Sequence, residues 1–206
     1  MLRRGARSSA RTGTPADLLV VGLGNPGAEY AQTKHNVGAA VIHLLAQRHG
    51  ARLRKSKERA LVDDVRVDGK RLALAVPTTY MNDSGVAVAP LARRFGVTPD
   101  HLDRLVIVHD ELDLEPAVLR VKVGGGLAGH NGLRSIKQHL HDDAFVRVRI
   151  GVGKPKTKEH GADHVLSRFG KRDREQMAVT IEEAADAVEM ILDDGVDAAM
   201  NKYNGR

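Results

Sequence analysis

The sequence predicts a single-domain α/β sandwich in which helices flank a central, twisted, mixed β-sheet. Short apolar runs typical of strands alternate with longer segments of helical periodicity along the 206 residues, and this alternation is typical of α/β folds. A hairpin signal, Asp68-Gly69, lies between two strand-like segments. Because a hairpin joins antiparallel strands, we expect a mixed sheet rather than a purely parallel one.

The first half of the chain alternates regularly between the two kinds of element. We predict a strand at Leu18–Gly22, a helix at 36–49, the hairpin strands at 60–67 and 71–76, and a helix at 84–95. The first strand is a short apolar run that ends in a glycine, and the first helix carries a single apolar stripe. For the second helix we expect Asn82 or Ser84 as N-cap and Gly96 as the stop, although Pro90 lies inside it.

The second half continues the pattern and ends in helices. We predict strands at 105–109, 118–123 and 145–150, a helix at 131–140, and one or two helices over 173–203 that break near Gly195. Alternation in the last strand places Arg147 and Arg149 on one face. Polar residues follow the predicted strands at 22–27, 77–82, 109–113 and 124–131. Loops at the carboxyl ends of strands form the ligand crevice of open α/β sheets, so we expect these segments to converge.

Composition excludes several classes of site. The chain has no cysteine, which excludes disulfides, zinc–thiolate sites and thiol nucleophiles. No apolar run reaches the roughly 18 residues of a membrane helix, so we expect a soluble protein without a membrane partner. The formal charge is +6, but residues 1–16 hold four arginines and no acid, which leaves only +2 for the rest. Net charge is therefore weak evidence for nucleic-acid binding.

The first 16 residues are rich in arginine and differ in composition from the rest of the chain. We interpret residues 1–16 as a basic, disordered N-terminal extension and residues 17–206 as the catalytic domain. A misplaced start codon or a short targeting peptide would give a similar composition.

The glycine loop at 22–27 has two interpretations. Its Gly-x-Gly-x-x-Gly spacing after a strand matches the dinucleotide-binding motif. That motif also requires an acid about 20 residues later, and no acid occurs between Glu29 and Glu58. Arg48 or Arg52 could replace it in an NADP site. The second interpretation is a hydrolase site, because His35 lies within reach of the same loop.

Five blocks of the chain together resemble the bacterial-type peptidyl-tRNA hydrolases. They are Gly22-Leu-Gly-Asn-Pro-Gly-x-x-Tyr30 with Lys34-His-Asn-Val-Gly38, Pro77-Thr-Thr-Tyr-Met-Asn-x-Ser-Gly85, His109-Asp-Glu-Leu-Asp113, Gly124-Gly-Gly-x-x-Gly-His-Asn-Gly132 and Arg147-x-Arg-Ile-Gly-x-Gly153. The resemblance implies a cytoplasmic monomer that hydrolyses the ester joining a peptide to tRNA. It also implies that no metal and no cofactor take part. One departure is Leu127-Ala128 within the second glycine loop.

The predicted catalytic residues are His35, Asp110 and Asn25. An imidazole titrates near neutrality, so His35 is suited to act as the base that activates water. The resemblance places Asp110 beside it, in the orienting role that an aspartate has in hydrolase triads. By the same analogy, Asn25 positions the attacking water or the ester. Taken singly, His35 could be a helix-entry cap and Asn25 a turn residue.

Further contacts to peptidyl-tRNA are implied by the resemblance. The predicted substrate-binding residues are Tyr30, Tyr80, Met81, Asn82, His130 and Asn131. Lys122 and Arg149 match positions that hold the 5′ phosphate of the tRNA, so the expected partner surface comprises the acceptor stem, the CCA end and that phosphate. We expect Arg120 and Arg147 to extend this basic surface, while residues 154–158 either extend it or form an ordinary solvated face.

Overall fold

The computed structural model describes residues 14–155, 157 and 160–205, and most of the predicted N-terminal extension lies outside them. Seven strands form one sheet with the spatial order β2-β3-β4-β1-β5-β7-β6. The strands are β1 (Leu18–Gly22), β2 (Arg54–Lys55), β3 (Ala60–Val67), β4 (Lys70–Pro77), β5 (Leu105–Glu111), β6 (Leu119–Val123) and β7 (Val146–Gly151).

The sheet is mixed, as the hairpin predicted. β4, β1, β5 and β7 run parallel to one another at its centre. β2–β3, β3–β4 and β6–β7 are antiparallel pairs, so both edges of the sheet are antiparallel. The carboxyl ends of the central strands therefore lie at one edge, where α/β proteins place their sites.

Helices cover both faces of the sheet. They are α1 (Val37–Arg48), α2 (Ser84–Arg94), α3 (Asn131–Leu140), α4 (Gly161–Leu166), α5 (Lys171–Asp194) and α6 (Val196–Asn204). One core cluster packs residues of α1, α5 and α6 against the sheet, and the other packs α2 and α3 against the opposite face. The predicted α/β sandwich is thus confirmed.

Close backbone contacts place α1 directly on the sheet. A Cβ at Gly38 would lie 2.2 Å from the Val108 carbonyl oxygen, and one at Gly22 would lie 2.2 Å from the Gly38 carbonyl oxygen. Because only hydrogen fits at these two positions, the start of α1 approaches β1 and β5 closely. This contact brings His35, which shortly precedes α1, to the end of β5.

The capping prediction for α2 was wrong. Asp83 occupies the N-cap position and makes no side-chain cap bond. The Ser84 hydroxyl lies inside the first turn and donates to the Met81 carbonyl oxygen over 2.7 Å. Met81 is itself part of a short 3₁₀ turn before the helix, so the chain enters α2 already wound.

The packed part of the chain begins before residue 17. The Ala16 side chain is buried, and its amide donates to the Phe95 carbonyl oxygen over 2.9 Å. The Thr14 carbonyl oxygen accepts a hydrogen bond from Arg71. Residues 14–16 therefore contact the domain rather than forming part of a disordered extension, while residues 1–13 lie outside the described residues.

Candidate active site

The Asp110 carboxylate is the centre of a buried hydrogen-bond network at the end of β5. Its Oδ1 atom lies 2.8 Å from His35 Nδ1 and 3.1 Å from His130 Nε2. Asp110 is only 2% exposed, so these two imidazoles replace the water that a carboxylate normally binds. The structure thus brings together three residues that are far apart in the sequence.

The tautomer of His130 can be assigned from its other contacts. His130 is the N-cap of α3, and its Nδ1 atom accepts from the amides of Gly132 and Leu133 at 3.1 and 3.3 Å. An accepting Nδ1 carries no hydrogen, so Nε2 is the protonated nitrogen and donates to Asp110. His130 therefore anchors the start of α3 to the carboxylate.

The same reasoning defines the free atom of His35. The Nδ1–H group donates to the ionised carboxylate, so in the neutral imidazole Nε2 is the nitrogen that can accept a proton. Burial raises the pKa of Asp110, but His130 and His35 together hold it well below its usual range. Asp110 consequently stays ionised at neutral pH and stabilises positive charge on His35.

His109 is a part of this network for which the sequence predicted no role. Its side chain is fully buried, and Nδ1 donates to the Asp110 carbonyl oxygen over 2.7 Å. The ring meets His130 edge-on, with 4.9 Å between the centroids. Burial, together with His130, lowers the pKa of His109 well below 6.5. His109 is therefore a neutral support behind the carboxylate, and its position next to Asp110 was the available signal.

Hydrogen bonds to Met81 and Asn36 hold Asn25 in place. Its Oδ1 atom accepts from the Met81 amide over 2.8 Å. Its backbone amide donates to Asn36 Oδ1, and its backbone carbonyl accepts from Asn36 Nδ2, both over 2.9 Å. Within the described residues, Asn25 Nδ2 has no hydrogen-bond partner. The neighbour of His35 thus orients Asn25, although the sequence predicted Asn36 only as a helix start.

A cavity of about 210 Å³ lies beside the Asp110 network. Its lining includes His35, Asp110, His130 and Asn131, together with Gly161, Ala162 and Val165 of α4. The predicted convergence is confirmed for 109–113 and 124–131, which meet here. The segments 22–27 and 77–82 meet one another through the Asn25–Met81 hydrogen bond. We did not predict α4.

The other predicted substrate residues lie beside this centre. Tyr80 is 56% exposed, and its ring packs edge-on against Tyr30 at 6.5 Å. Asn82 is exposed in the short turn before α2, whereas Met81 is buried. Met81 therefore contributes mainly its backbone amide and its packing, while Tyr80 and Asn82 face solvent and Tyr30 is half-buried.

The pairing of β6 and β7 places four cations on one face. Lys122 is opposite Arg147 and Arg120 is opposite Arg149. The Arg149 Nε atom donates to Glu111 Oε2 over 3.1 Å, and both Arg149 and Lys122 are partly exposed. These two predicted phosphate contacts thus lie near each other at the β6 edge of the sheet.

The prediction that Arg147 extends the basic surface was wrong. Arg147 is 1% exposed and donates to the carbonyl oxygens of Gly124, Gly125 and Gly126. Burial lowers the pKa of its guanidinium. Arg147 therefore braces the glycine loop and does not belong to the exposed basic surface.

Comparison with known proteins agrees with this geometry. A family model described as peptidyl-tRNA hydrolase matches residues 19–206. The chain belongs to the peptidyl-tRNA hydrolase family. It is 47% identical over 197 residues to the peptidyl-tRNA hydrolase of Cutibacterium acnes, with 90% of this chain and 97% of that one covered. It is 45% identical to the Mycobacterium tuberculosis protein over 188 residues, with 91% and 97% covered.

A solved structure extends this similarity to the fold. The crystal structure of peptidyl-tRNA hydrolase from Acinetobacter baumannii superposes with a TM-score of 0.86 at 39% identity, covering 93% of this chain and 97% of that one. The resemblance predicted from the five blocks is thus confirmed, and the dinucleotide interpretation of residues 22–27 is rejected. No helix in the described part of the chain is long and apolar enough to cross a membrane.

The glycine loop of this family member departs from the expected pattern at two residues. Leu127 is partly buried and packs against the core beneath α2 and α3. Ala128 has φ 48°, in the left-handed region that favours glycine. The departure therefore adds an apolar anchor on one side of the loop and backbone strain next to it.

The three groups around Asp110 are also the residues that could hold a metal ion. The ligand atoms of His35, Asp110 and His130 lie within 4.8 Å of one another. Both imidazole nitrogens that face the carboxylate donate hydrogen bonds to it, so hydrogen bonding alone accounts for this arrangement. The prediction that the reaction needs no metal remains to be tested.

Proposed function

We propose that this member of the peptidyl-tRNA hydrolase family cleaves the ester between a peptide and the 3′-terminal ribose of tRNA by direct attack of water. The observation that carries the proposal is the 2.8 Å contact between His35 Nδ1 and the buried Asp110 carboxylate. That contact leaves His35 Nε2 as the proton acceptor on the cavity side. No serine in the described residues has a comparable base, so an acyl-enzyme is not required.

The proton moves through His35 in both halves of the reaction. Nε2 takes a proton from water as the water oxygen attacks the ester carbonyl carbon, and Asp110 stabilises the resulting imidazolium. The tetrahedral intermediate then breaks its bond to the ribose oxygen, and His35 returns the proton to that oxygen. The products are a peptide carboxylic acid and a tRNA with a free terminal hydroxyl.

Asn25 supplies a neutral donor for this step. Its Nδ2 group has no partner in the described chain, and its position is set by Met81 and Asn36. We assign this N–H group to the attacking water or to the developing oxyanion. A positioned donor of this kind typically contributes about 10²–10³-fold in turnover.

The remaining contacts divide between peptide and tRNA. We assign the peptide backbone to Asn82 and Asn131, and the walls of the site to Tyr30, Tyr80, Met81 and His130. Lys122 and Arg149 hold the 5′ phosphate at the end of the acceptor stem, from which the CCA end extends into the site. The protein acts as a monomer in the cytoplasm, and residues 14–206 suffice for activity. Deletion of residues 1–13 should therefore leave the hydrolysis rate unchanged.

The decisive experiment measures release of N-acetylated amino acid from tRNA in the presence of EDTA. His35→Ala should lower turnover by at least about 10²-fold while tRNA binding is preserved. His101→Ala is the matched control, because His101 is exposed and outside the site. Failure of the unaltered protein to release the amino acid would overturn the proposed function. Unchanged turnover in His35→Ala would remove His35 as the base.

A separate measurement tests the phosphate contact. Lys122→Ala should weaken tRNA binding and reduce the slope of log affinity against log salt by about one. Lys137→Ala is the control, since Lys137 of α3 is already paired with Asp143. An unchanged salt slope in Lys122→Ala would place the phosphate elsewhere.

A further inference from the structure

The sheet edge opposite Lys122 carries a second group of cations. Four cations and two acids, Glu58 and Asp63, line a cavity of about 760 Å³. The cations are Arg54, Lys55, Lys57 and Arg94, and we call these four residues the β2 basic cluster. In the described part of the chain, Arg54, Lys55 and Lys57 form no ion pair. Unpaired cations around a concavity create a positive potential that attracts anionic groups.

A buried carboxylate, that of Glu58, fixes the position of Arg94 in this cluster. Glu58 is 4% exposed and accepts from Arg94 Nη1 over 3.0 Å. The next residue, Arg59, has φ 55°, and its carbonyl oxygen accepts from the Thr78 amide over 2.8 Å. A bulky residue in the left-handed region persists only where its surroundings impose it. The turn that presents Lys57 is therefore fixed rather than adaptable.

A groove connects the β2 basic cluster to Asn25. It has a volume of about 660 Å³ and begins at Asn25. Its walls are largely apolar, formed by Ala39, Ala40, Leu44, Leu61, Val76 and Pro77. Lys55 lines both this groove and the basic cavity, so the two adjoin at its side chain.

The layout of the sheet indicates what enters the groove. β2 is the first strand, β1 with its glycine loop is the fourth, and β6 with Lys122 is the last. The proposed tRNA contacts therefore lie on one side of the ester and the groove on the other. No Phe, Tyr or Trp lines either cavity, so the groove lacks the aromatic platforms on which unpaired bases stack.

We propose that the peptide, held next to the ester by Asn82 and Asn131, continues past Asn25 into the groove, and that the β2 basic cluster favours peptides with acidic side chains upstream of the ester. This inference rests on the proposed function. Three strand spacings separate β2 from β1, or about 14 Å, and an extended peptide spans about 3.3 Å per residue. The favoured acids are therefore those about four to six residues from the ester.

The test compares N-acetylated hexapeptidyl-tRNAs that share the two residues next to the ester. Position three is also kept the same, and positions four to six from the ester carry three Glu, three Ser or three Lys residues. At low salt, kcat/KM should decrease in the order Glu, Ser, Lys, with about tenfold between the extremes. The spread should shrink as salt increases, because the charges are exposed. Equal kcat/KM for the three substrates would overturn the proposal.

A charge reversal identifies the residues responsible. Lys55→Glu with Lys57→Glu should invert the order of the three substrates. N-acetyl-aminoacyl-tRNA should be hydrolysed at an unchanged rate, because it is too short to reach the cluster. Arg66→Glu is the matched control on β3, where Arg66 bonds the Gly69 carbonyl at the hairpin, and it should leave the order as it is. Equal slowing of every substrate, with a reduced salt slope, would instead assign the cluster to tRNA.

Peptide binding separates this inference from the proposed function. Fluorescence anisotropy of the labelled free peptides should show tighter binding of the Glu peptide than of the Lys peptide. The preference should be lost in the double variant. Equal binding of both peptides overturns the groove assignment, even if the ester is hydrolysed. Selective binding without hydrolysis overturns the proposed function and leaves the groove assignment standing.

Discussion

Two hydrogen-bond networks adjoin His35, one built around a charged carboxylate and the other from uncharged amides. Behind the ring, Asp110 is an ionised carboxylate that accepts from two imidazoles and lies over the neutral, buried His109. On the side of the glycine loop, Asn25 and Asn36 are uncharged amides, and the Asn36 side chain bonds both backbone groups of Asn25. The Asp110 network thus supplies a negative charge, and the Asn25–Asn36 network fixes the position of a neutral donor.

The difference reflects the requirements of the proposed reaction. A base that becomes an imidazolium gains from a fixed negative charge behind it. A second negative charge beside the ester would oppose the oxyanion, so the donor there has to be neutral. Burial reinforces the division, because Asp110 is removed from solvent while Asn25 is partly exposed beside a groove.

The largest expected effect comes from removing the charge behind His35. Asp110→Asn keeps the shape but loses the carboxylate, so turnover should fall by about 10²–10⁴-fold. Single-turnover hydrolysis of N-acetyl-aminoacyl-tRNA measures this directly. Glu115→Gln, at an exposed acid, serves as the control. A decrease of less than about fivefold would show that the charge is not needed.

Introducing a charge on the neutral side tests the other half of the comparison. Asn25→Asp keeps the oxygen that accepts from the Met81 amide but loses the Nδ2 donor. Turnover should fall by about 10²–10³-fold with little change in folding stability. Asn201→Asp on α6 is the matched control. Activity close to that of the unaltered protein would mean that Asn25 acts only through its oxygen.

A smaller effect is expected from removing the hydrogen bonds between Asn36 and the Asn25 backbone. Asn36→Ala removes both hydrogen bonds to the Asn25 backbone and should cost about 1–3 kcal/mol of unfolding free energy. Turnover should fall by about tenfold, while tRNA affinity stays unchanged. Asn36→Asp retains the acceptor for the Asn25 amide and loses only the donor. Its stability and turnover should therefore lie between those of the unaltered protein and Asn36→Ala. Equal stability of all three proteins, measured by urea unfolding, would contradict this role.

The smallest effect is a pH dependence of stability due to His109. Its pKa in the fold is lowered below 6.5 by burial and by His130, so the unfolded chain binds a proton that the fold does not. Stability is therefore complete above pH 6.5 and decreases below it, by up to about 1.4 kcal/mol per pH unit. His109→Gln should lack this contribution. Parallel stability curves for the two proteins between pH 7.5 and 5.5 would refute it.

The parts of the fold that could be predicted have strong local patterns. β1 and α3 were predicted with their observed ends, because an apolar run ending in glycine and an amphipathic decapeptide are clear signals. β2 has two residues and α4 has six, which is too short for either periodicity to show. The cap prediction for α2 was wrong because the 3₁₀ turn that begins at Met81 places Ser84 at the first helical position, one residue after the N-cap.

The sequence by itself determined which chemical groups this protein has and which family it belongs to. The tertiary structure decided what each group does. Arg147 and Arg149 lie on one face of β7, yet the first is buried under three glycine carbonyls and the second is paired with Glu111 near the surface. Asn36 and His109 gain their roles in the same way. Alternation along a strand decides the face on which a side chain lies, whereas burial and hydrogen-bond partners depend on segments that only folding brings together.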